Sequence, residues 1–273
     1  MTRIRSALYL PASNERAIAK ARTLPCNAVI LDLEDAVAPE QKASARAQAV
    51  AALAEGFGDR LVVVRINGLA TLWGADDAAA LRGAAAVLLP KVDGPEDLRR
   101  ARAAIGAGPA LWAMLETCAG VLALPAIAAA ARETGLAALV VGTNDLAKEM
   151  RCRIDAERAP MLPVLTQVVL AARAAGIIAL DGVLNALDDT EALAAECRQG
   201  AMLGFDGKTL IHPAQIAAAN AAFGPSATEI AWAEAVVAAF AEPGNADKGA
   251  IRLDGAMVER LHLAEAERVL DVR

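Results

Sequence analysis

Aromatic side chains are scarce in this 273-residue chain: three Trp, one Tyr and four Phe make up 3% of it. So few stacking surfaces, together with a formal charge of −6 and no basic stripe, argue against a nucleic-acid interface. Histidine is scarcer still, and the spacing of the two present, His212 and His262, supports no Ser/His/Asp triad. The cysteines Cys26, Cys118, Cys152 and Cys197 form no CxxC and no Cys/His ligand spacing. A zinc site and a disulfide framework are therefore not indicated, and reduced thiols in a cytoplasm fit best. No apolar stretch approaches the roughly 20 residues of a membrane helix. The opening MTRIRSALYLPASNER meets Pro11 and Asn14 too early for a signal-peptide apolar region, so a cytoplasmic protein without membrane attachment is expected.

What the chain has is an apolar majority supplied chiefly by alanine, 56% hydrophobic against 22% charged. That balance folds and buries a core. The length allows two domains or one large α/β domain, since barrels commonly run to about 250 residues as one unit.

Short apolar runs alternate with Ala-rich segments of helical length. The strands are expected at Ala7–Leu10, Ala28–Leu33, Leu61–Ile66, Ala86–Lys91, Leu111–Glu116, Ala138–Gly142, Ile177–Asp181 and Ala201–Phe205. The helices are expected at Asn14–Arg22, Glu40–Glu55, Ala75–Arg82, Pro95–Ile105, Ala119–Glu133, Leu162–Ala175, Thr190–Arg198 and Pro213–Ala222. Such βα alternation favours an α/β fold of the (β/α)8 TIM-barrel type over a doubly wound open sheet. Residues 1–225 would form this catalytic barrel. Residues 226–273 would form a C-terminal helical extension, with helices at Ala231–Ala241 and Val258–Val269 around the loop EPGNADKG, a candidate contact for a neighbouring subunit.

In a barrel, the residues that follow the strands gather at one mouth. Here they are Asp32-Leu33-Glu34-Asp35, Arg65-Ile66-Asn67, Pro90-Lys91, Glu116-Thr117, Thr143-Asn144-Asp145, Asp181 and Asp206-Gly207-Lys208. Carboxylates mixed with a few cations suit an anionic substrate held through a divalent metal. A hard cation such as Mg2+ takes one or two carboxylates plus water and substrate oxygens, and Glu116 and Asp145 end adjacent strands where both could reach it. The competing reading pairs one of them with Arg65 or Lys91 in a structural ion pair. Asp32, Glu34 and Asp35 are better suited to orienting cations and waters around the metal than to binding it.

The segments RSALYLPAS, LDLEDAV, VRIN, PKV, ETCAGV, GTNDLA, LDGV and GFDGKTLIHPAQI occur in one order over nearly the whole chain. In this the sequence resembles the citrate lyase β-subunit-like branch of the HpcH/HpaI aldolase family. The resemblance implies a TIM-type barrel, a homotrimer or hexamer, and Mg2+-dependent cleavage or formation of a carbon–carbon bond between an acyl-CoA and a 2-oxo acid. It puts the metal on Glu116 and Asp145 and makes Arg65 the substrate-contacting arginine. Asp35 and Lys91, with Lys208 and His212 on the coenzyme A side, would shape the site. An aspartate of a C-terminal MID-type motif, often delivered by a neighbouring subunit, carries the proton in family lyases, and Glu259 takes its place here. The implied reaction splits a 3-hydroxyacyl-CoA, of citryl-CoA or malyl-CoA type, into acetyl-CoA and a 2-oxo acid. Thioester hydrolysis, aldol cleavage of a free hydroxy acid, and service as the β subunit of a multi-subunit citrate lyase are the alternatives.

Overall fold

Near-continuous runs of Val, Ile, Leu and Ala form seven short strands: β1 (Ser6–Pro11), β2 (Ala28–Asp32), β3 (Leu61–Arg65), β4 (Ala86–Leu89), β5 (Ala110–Leu115), β6 (Leu136–Val141) and β7 (Ile178–Asp181); the more polar Gly-Lys-Thr-Leu forms the eighth, β8 (Gly207–Leu210). In the computed structural model, which describes residues 4–245 and 247–271, each pairs in parallel with the next and β8 returns to β1, closing a barrel. Strands buried on both faces read as unbroken apolar runs because helices cover the outside.

Those helices are α1 (Glu15–Ala21), α2 (Lys42–Glu55), α3 (Gly74–Ala80) and α4 (Pro95–Ile105), one after each of the first four strands. Three short helices follow β5: α5 (Cys118–Leu122), α6 (Leu124–Ala129) and α7 (Ala131–Thr134). Then come α8 (Thr143–Met150) and α9 (Leu162–Ala175) after β6, α10 (Thr190–Leu203) after β7, and α11 (Ile216–Ala222) after β8. The expected (β/α)8 barrel is the fold found.

Side chains on a strand alternate between barrel interior and helix layer. One interior cluster holds Ala7, Ala28, Ile30, Val63, Leu88, Trp112, Met114, Val140 and Leu180, with Tyr9 packed against it. Continuing the same alternation, Asp32, Arg65 and Glu116 become the next inward positions at the C-terminal ends of their strands. Polar side chains thus cap an apolar plug.

Two expectations for the barrel are corrected. Ala201–Phe205 is no strand: Ala201–Leu203 completes α10, which stops where Gly204 turns left-handed at φ 96°. The eighth strand begins at Gly207, so Asp206 precedes it and Gly207 and Lys208 open it instead of following it. The single helix expected at Ala119–Glu133 is broken at Ala123 and Ala130, and α8 is an additional helix.

The chain divides into two units between Asn220 and Ala221. The second contains α12 (Ala227–Ala241), an antiparallel hairpin of β9 (Ala250–Leu253) and β10 (Ala256–Glu259), and α13 (Arg260–Leu270). Ser226 caps α12 by accepting from the Glu229 N–H. Asp254 and Gly255, at φ 48° and 84°, make the two-residue turn that both-positive φ values require. Ile251 and Val258 of the hairpin join Val236, Phe240, Ala266 and Val269 in this unit's own core. Val258 and Glu259 are therefore strand residues, not the start of a helix. Ala246, within EPGNADKG, and Val272 and Arg273 lie outside the described residues.

Candidate active site

The mouth of the barrel opens into a cavity of about 320 Å3 bordered by Tyr9, Asp32, Arg65, Glu116 and Asp145, with Asp35 also on its wall. Arg65 and Asp32 form a bidentate pair on its wall. Nε and Nη2 of Arg65 donate to the two oxygens of Asp32, each at 2.7 Å. Asp32 also accepts from the N–H groups of Glu34 and Ala36, which fixes the loop after β2. Nη1 of Arg65 lies 3.0 Å from Glu34 and 3.4 Å from Asp35, and the guanidinium sits over the Tyr9 ring, 5.2 Å from its centre. A planar, bidentate fork of this kind holds the cation in one orientation. Asp35, with 62% of its side chain exposed, stands at the rim.

Glu116 is 2% exposed. Its Oε1 accepts the backbone N–H of Lys91 at 2.8 Å, while the Lys91 ammonium reaches Glu34 at 3.2 Å and Asp145 at 3.3 Å. The ion pair of Asp145 with Lys91, foreseen as a competitor to metal binding, is thus present. Gly142 makes room for Glu116: a Cβ there would stand 2.5 Å from the Glu116 Cβ and 2.7 Å from Oε2. Asp145 comes from the first turn of α8 and is partly exposed. Burial, reinforced by the charge of Glu34, pushes the Glu116 carboxyl up to about 7 despite Lys91 and Arg65 nearby. Burial also raises the Tyr9 phenol, with Arg65 opposing and Asp32, Glu116 and Glu34 adding to the rise.

This chemistry fits a magnesium ion. Carboxylates outnumber cations around the cavity, Glu116 and Asp145 offer hard oxygens, and Glu34 adds negative charge beside Glu116 that a bound cation would relieve. Among the described residues no three His, Cys, Asp or Glu side chains converge into a ready-made metal cage. Two carboxylates completed by water and substrate oxygens suit Mg2+, which keeps much of its hydration. Glu116 and Asp145 would be the protein's share.

Lys208 does not line the cavity. Its alternation on β8 points it outward, where Nζ meets Asp181, the Gly182 carbonyl at 2.5 Å and Glu196 of α10 at 2.8 Å. Arg158 joins the same buried group, with Nη1 2.8 Å and 2.9 Å from the Asp181 oxygens. Together they brace the loop after β7, whose Asn185 exchanges amide hydrogen bonds with Asn144 at the cavity edge. His212 is exposed and caps the turn after β8, accepting the Ala214 N–H at Nδ1. Glu259 lies in the second unit as the N-cap of α13, where its backbone N–H donates to Nδ1 of His262 at 2.9 Å.

The strand-end inventory leaves out Tyr9, because β1 contributes to the mouth from within the strand and not from a polar terminus. The bond of Arg65 to Asp32 has one signal in the sequence, their matching inward positions on neighbouring strands, paired in register.

Residues 5–213 match the family model described as HpcH/HpaI aldolase/citrate lyase. The chain is 47% identical over 269 residues, 97% of this chain and 93% of its relative, to a (3S)-malyl-CoA thioesterase of Cereibacter sphaeroides. It is 31% identical to the mitochondrial citramalyl-CoA lyase of Mus musculus over 97% of this chain and 85% of that protein. Among solved structures it resembles the CitE protein of Mycobacterium tuberculosis in complex with magnesium, acetoacetate and coenzyme A. The TM-score is 0.80, with 33% identity, 97% of this chain and 96% of that chain covered.

Proposed function

We propose that this chain, which belongs to the HpcH/HpaI aldolase/citrate lyase family, hydrolyses a 3-hydroxyacyl-CoA of the (3S)-malyl-CoA type, with Mg2+ held by Glu116 and Asp145. It is an enzyme of a carbon–carbon lyase family and falls in the citrate lyase β-like branch. The observation that carries hydrolysis is the 47% identity, over nearly the whole chain, to a protein named as a (3S)-malyl-CoA thioesterase.

In that reaction water adds to the thioester carbonyl, the C–S bond breaks, and coenzyme A leaves as the thiol beside free malate. Bound Mg2+ would supply a Lewis acid for the substrate oxygens. The chain supplies the frame. Gly142 and the Lys91 N–H fix Glu116 in a dry wall. The Lys91 ammonium pairs with Glu34 and Asp145, and a divalent ion held by Glu116 and Asp145 would share Asp145 with it. Arg65, aligned by Asp32, sets a positive charge against the substrate carboxylate, and Asp35 and Lys91 flank the opening.

Carbon–carbon cleavage of the same substrate, to acetyl-CoA and glyoxylate, is the second reading. The 31% identity to a citramalyl-CoA lyase favours it, and Glu259 would then carry the proton in an assembly of identical subunits. Incubation with (3S)-malyl-CoA and Mg2+, reading free thiol and 2-oxo acid together, separates the two. Thiol and malate without glyoxylate are expected. Acetyl-CoA and glyoxylate without thiol would transfer the assignment to the lyase, and no product at all would remove malyl-CoA as the substrate.

A further inference from the structure

Tyr9, the single tyrosine of the chain, belongs neither to the carboxylate pair Glu116 and Asp145 nor to the Arg65–Asp32 fork. It lines the cavity from β1, partly buried, with its ring packed on the barrel core beneath the Arg65 guanidinium. A phenylalanine would fill that space and stack equally well, so packing does not require the oxygen. The partner the hydroxyl does have is the Met114 sulfur at 3.9 Å, and a thioether is a weak acceptor.

Several of the stronger acceptors nearby are already engaged. Both Asp32 oxygens accept from Arg65 and from backbone N–H groups, and Oε1 of Glu116 accepts from Lys91. Donors toward the cavity are in short supply for the same reason. Arg65 spends Nε and Nη2 on Asp32 and directs Nη1 to Glu34, Asp35 and Met114. Arg65 therefore offers a ligand charge more than hydrogen bonds. A phenol, ionising ordinarily only near pH ~10, remains a neutral donor in this acidic wall.

We propose that Tyr9 is a substrate-binding residue whose hydroxyl donates a hydrogen bond to an oxygen of the acyl part of the bound thioester, complementing the charge of Arg65. The inference rests on the reading of this cavity as a hydroxyacyl-CoA site. Tyr9→Phe removes the oxygen and keeps the ring, whereas Tyr9→Leu removes both. Each protein would be titrated by calorimetry, in the presence of Mg2+, with (S)-malate, (S)-citramalate and oxaloacetate, and separately with Mg2+ alone and with coenzyme A alone.

Tyr9→Phe is expected to weaken binding of the acid by about tenfold, the loss of one hydrogen bond. It should raise KM while leaving kcat within about twofold, and leave Mg2+ affinity, coenzyme A affinity and Tm at wild-type values. Tyr9→Leu should weaken the acid further by releasing Arg65. The comparison is read on whichever of the three acids the wild type binds, so a wrong acid in the functional assignment does not decide the outcome for Tyr9. Wild-type acid affinity in Tyr9→Phe would overturn the proposal. So would a loss of acid affinity accompanied by equal losses of Mg2+ affinity and Tm, which would make the hydroxyl structural.

Discussion

Lys91 touches both carboxylates proposed to hold the metal: its backbone N–H meets Glu116 at 2.8 Å and its ammonium meets Asp145 at 3.3 Å. It does so from φ 48°, a left-handed conformation that costs a non-glycine residue on the order of 1 kcal/mol. The chain holds this strain where it aims one residue at two functional groups. Lys91→Gly keeps the backbone geometry and loses the ammonium. Thermal melts should show stability within about 1 kcal/mol of wild type, while malyl-CoA turnover falls at least about tenfold. Undiminished turnover would show that only the backbone of Lys91 matters.

Gly142 gives Glu116 its place. In Gly142→Ala the new Cβ meets Glu116 at 2.5 Å, so the carboxylate must shift. Overpacking of this kind costs about 1–3 kcal/mol. Urea melts should register that loss, and calorimetry should show Mg2+ binding weakened by more than about tenfold. Normal Mg2+ affinity in this variant would separate Glu116 from the metal.

The Glu116 carboxyl, pushed up to about 7, links stability to pH in the metal-free protein. A carboxyl that titrates higher when folded than when unfolded stabilises the fold while protonated. That contribution is complete below its ordinary value near 4.5 and is lost as pH rises through about 7. The loss amounts to roughly 3 kcal/mol between pH ~4 and pH ~8. Metal-free wild type should therefore lose stability relative to Glu116→Gln over that window, as read by urea melts. Mg2+ binding to wild type should release a proton near neutrality and weaken below pH ~7. Parallel stability profiles for the two proteins would contradict the buried, charge-crowded placement of Glu116.

Lys208, Asp181 and Arg158 form a buried charge group outside the cavity. Removing one partner from such a group strands the others, at a cost of about 3–5 kcal/mol. Lys208→Met and Asp181→Asn should lower Tm markedly, with coenzyme A affinity of the folded fraction unchanged. A Lys208→Met protein with wild-type Tm and weakened coenzyme A binding would return Lys208 to the thioester site.

Much of this architecture is legible in the residues. Seven of the strands announce themselves as apolar runs, and because an inward side chain at the end of one strand must meet the mouth, Glu116, Arg65 and Asp32 can be placed by counting in twos. β8 cannot be found that way. Gly-Lys-Thr-Leu carries a lysine that is buried only because Asp181 and Glu196 receive it from distant parts of the chain, while the more apolar Ala201–Phe205 belongs to a helix end and its left-handed exit at Gly204. The hairpin of the second unit was signalled by Asp254-Gly255, a turn pair that an Ala-rich helical background obscures. Tyr9 reads as one more apolar strand residue until the Arg65 guanidinium and the open cavity stand beside it.

The most direct test of the account is the reaction itself, run with (3S)-malyl-CoA on wild type and Asp145→Asn, each with Mg2+ or with EDTA, following free thiol and malate. Asp145 sits in the partly exposed first turn of α8, so its amide variant should keep the wild-type Tm. Thiol and malate should appear only from wild type and only with Mg2+. Equal turnover by Asp145→Asn, or turnover by wild type undiminished in EDTA, would contradict a metal held between Glu116 and Asp145.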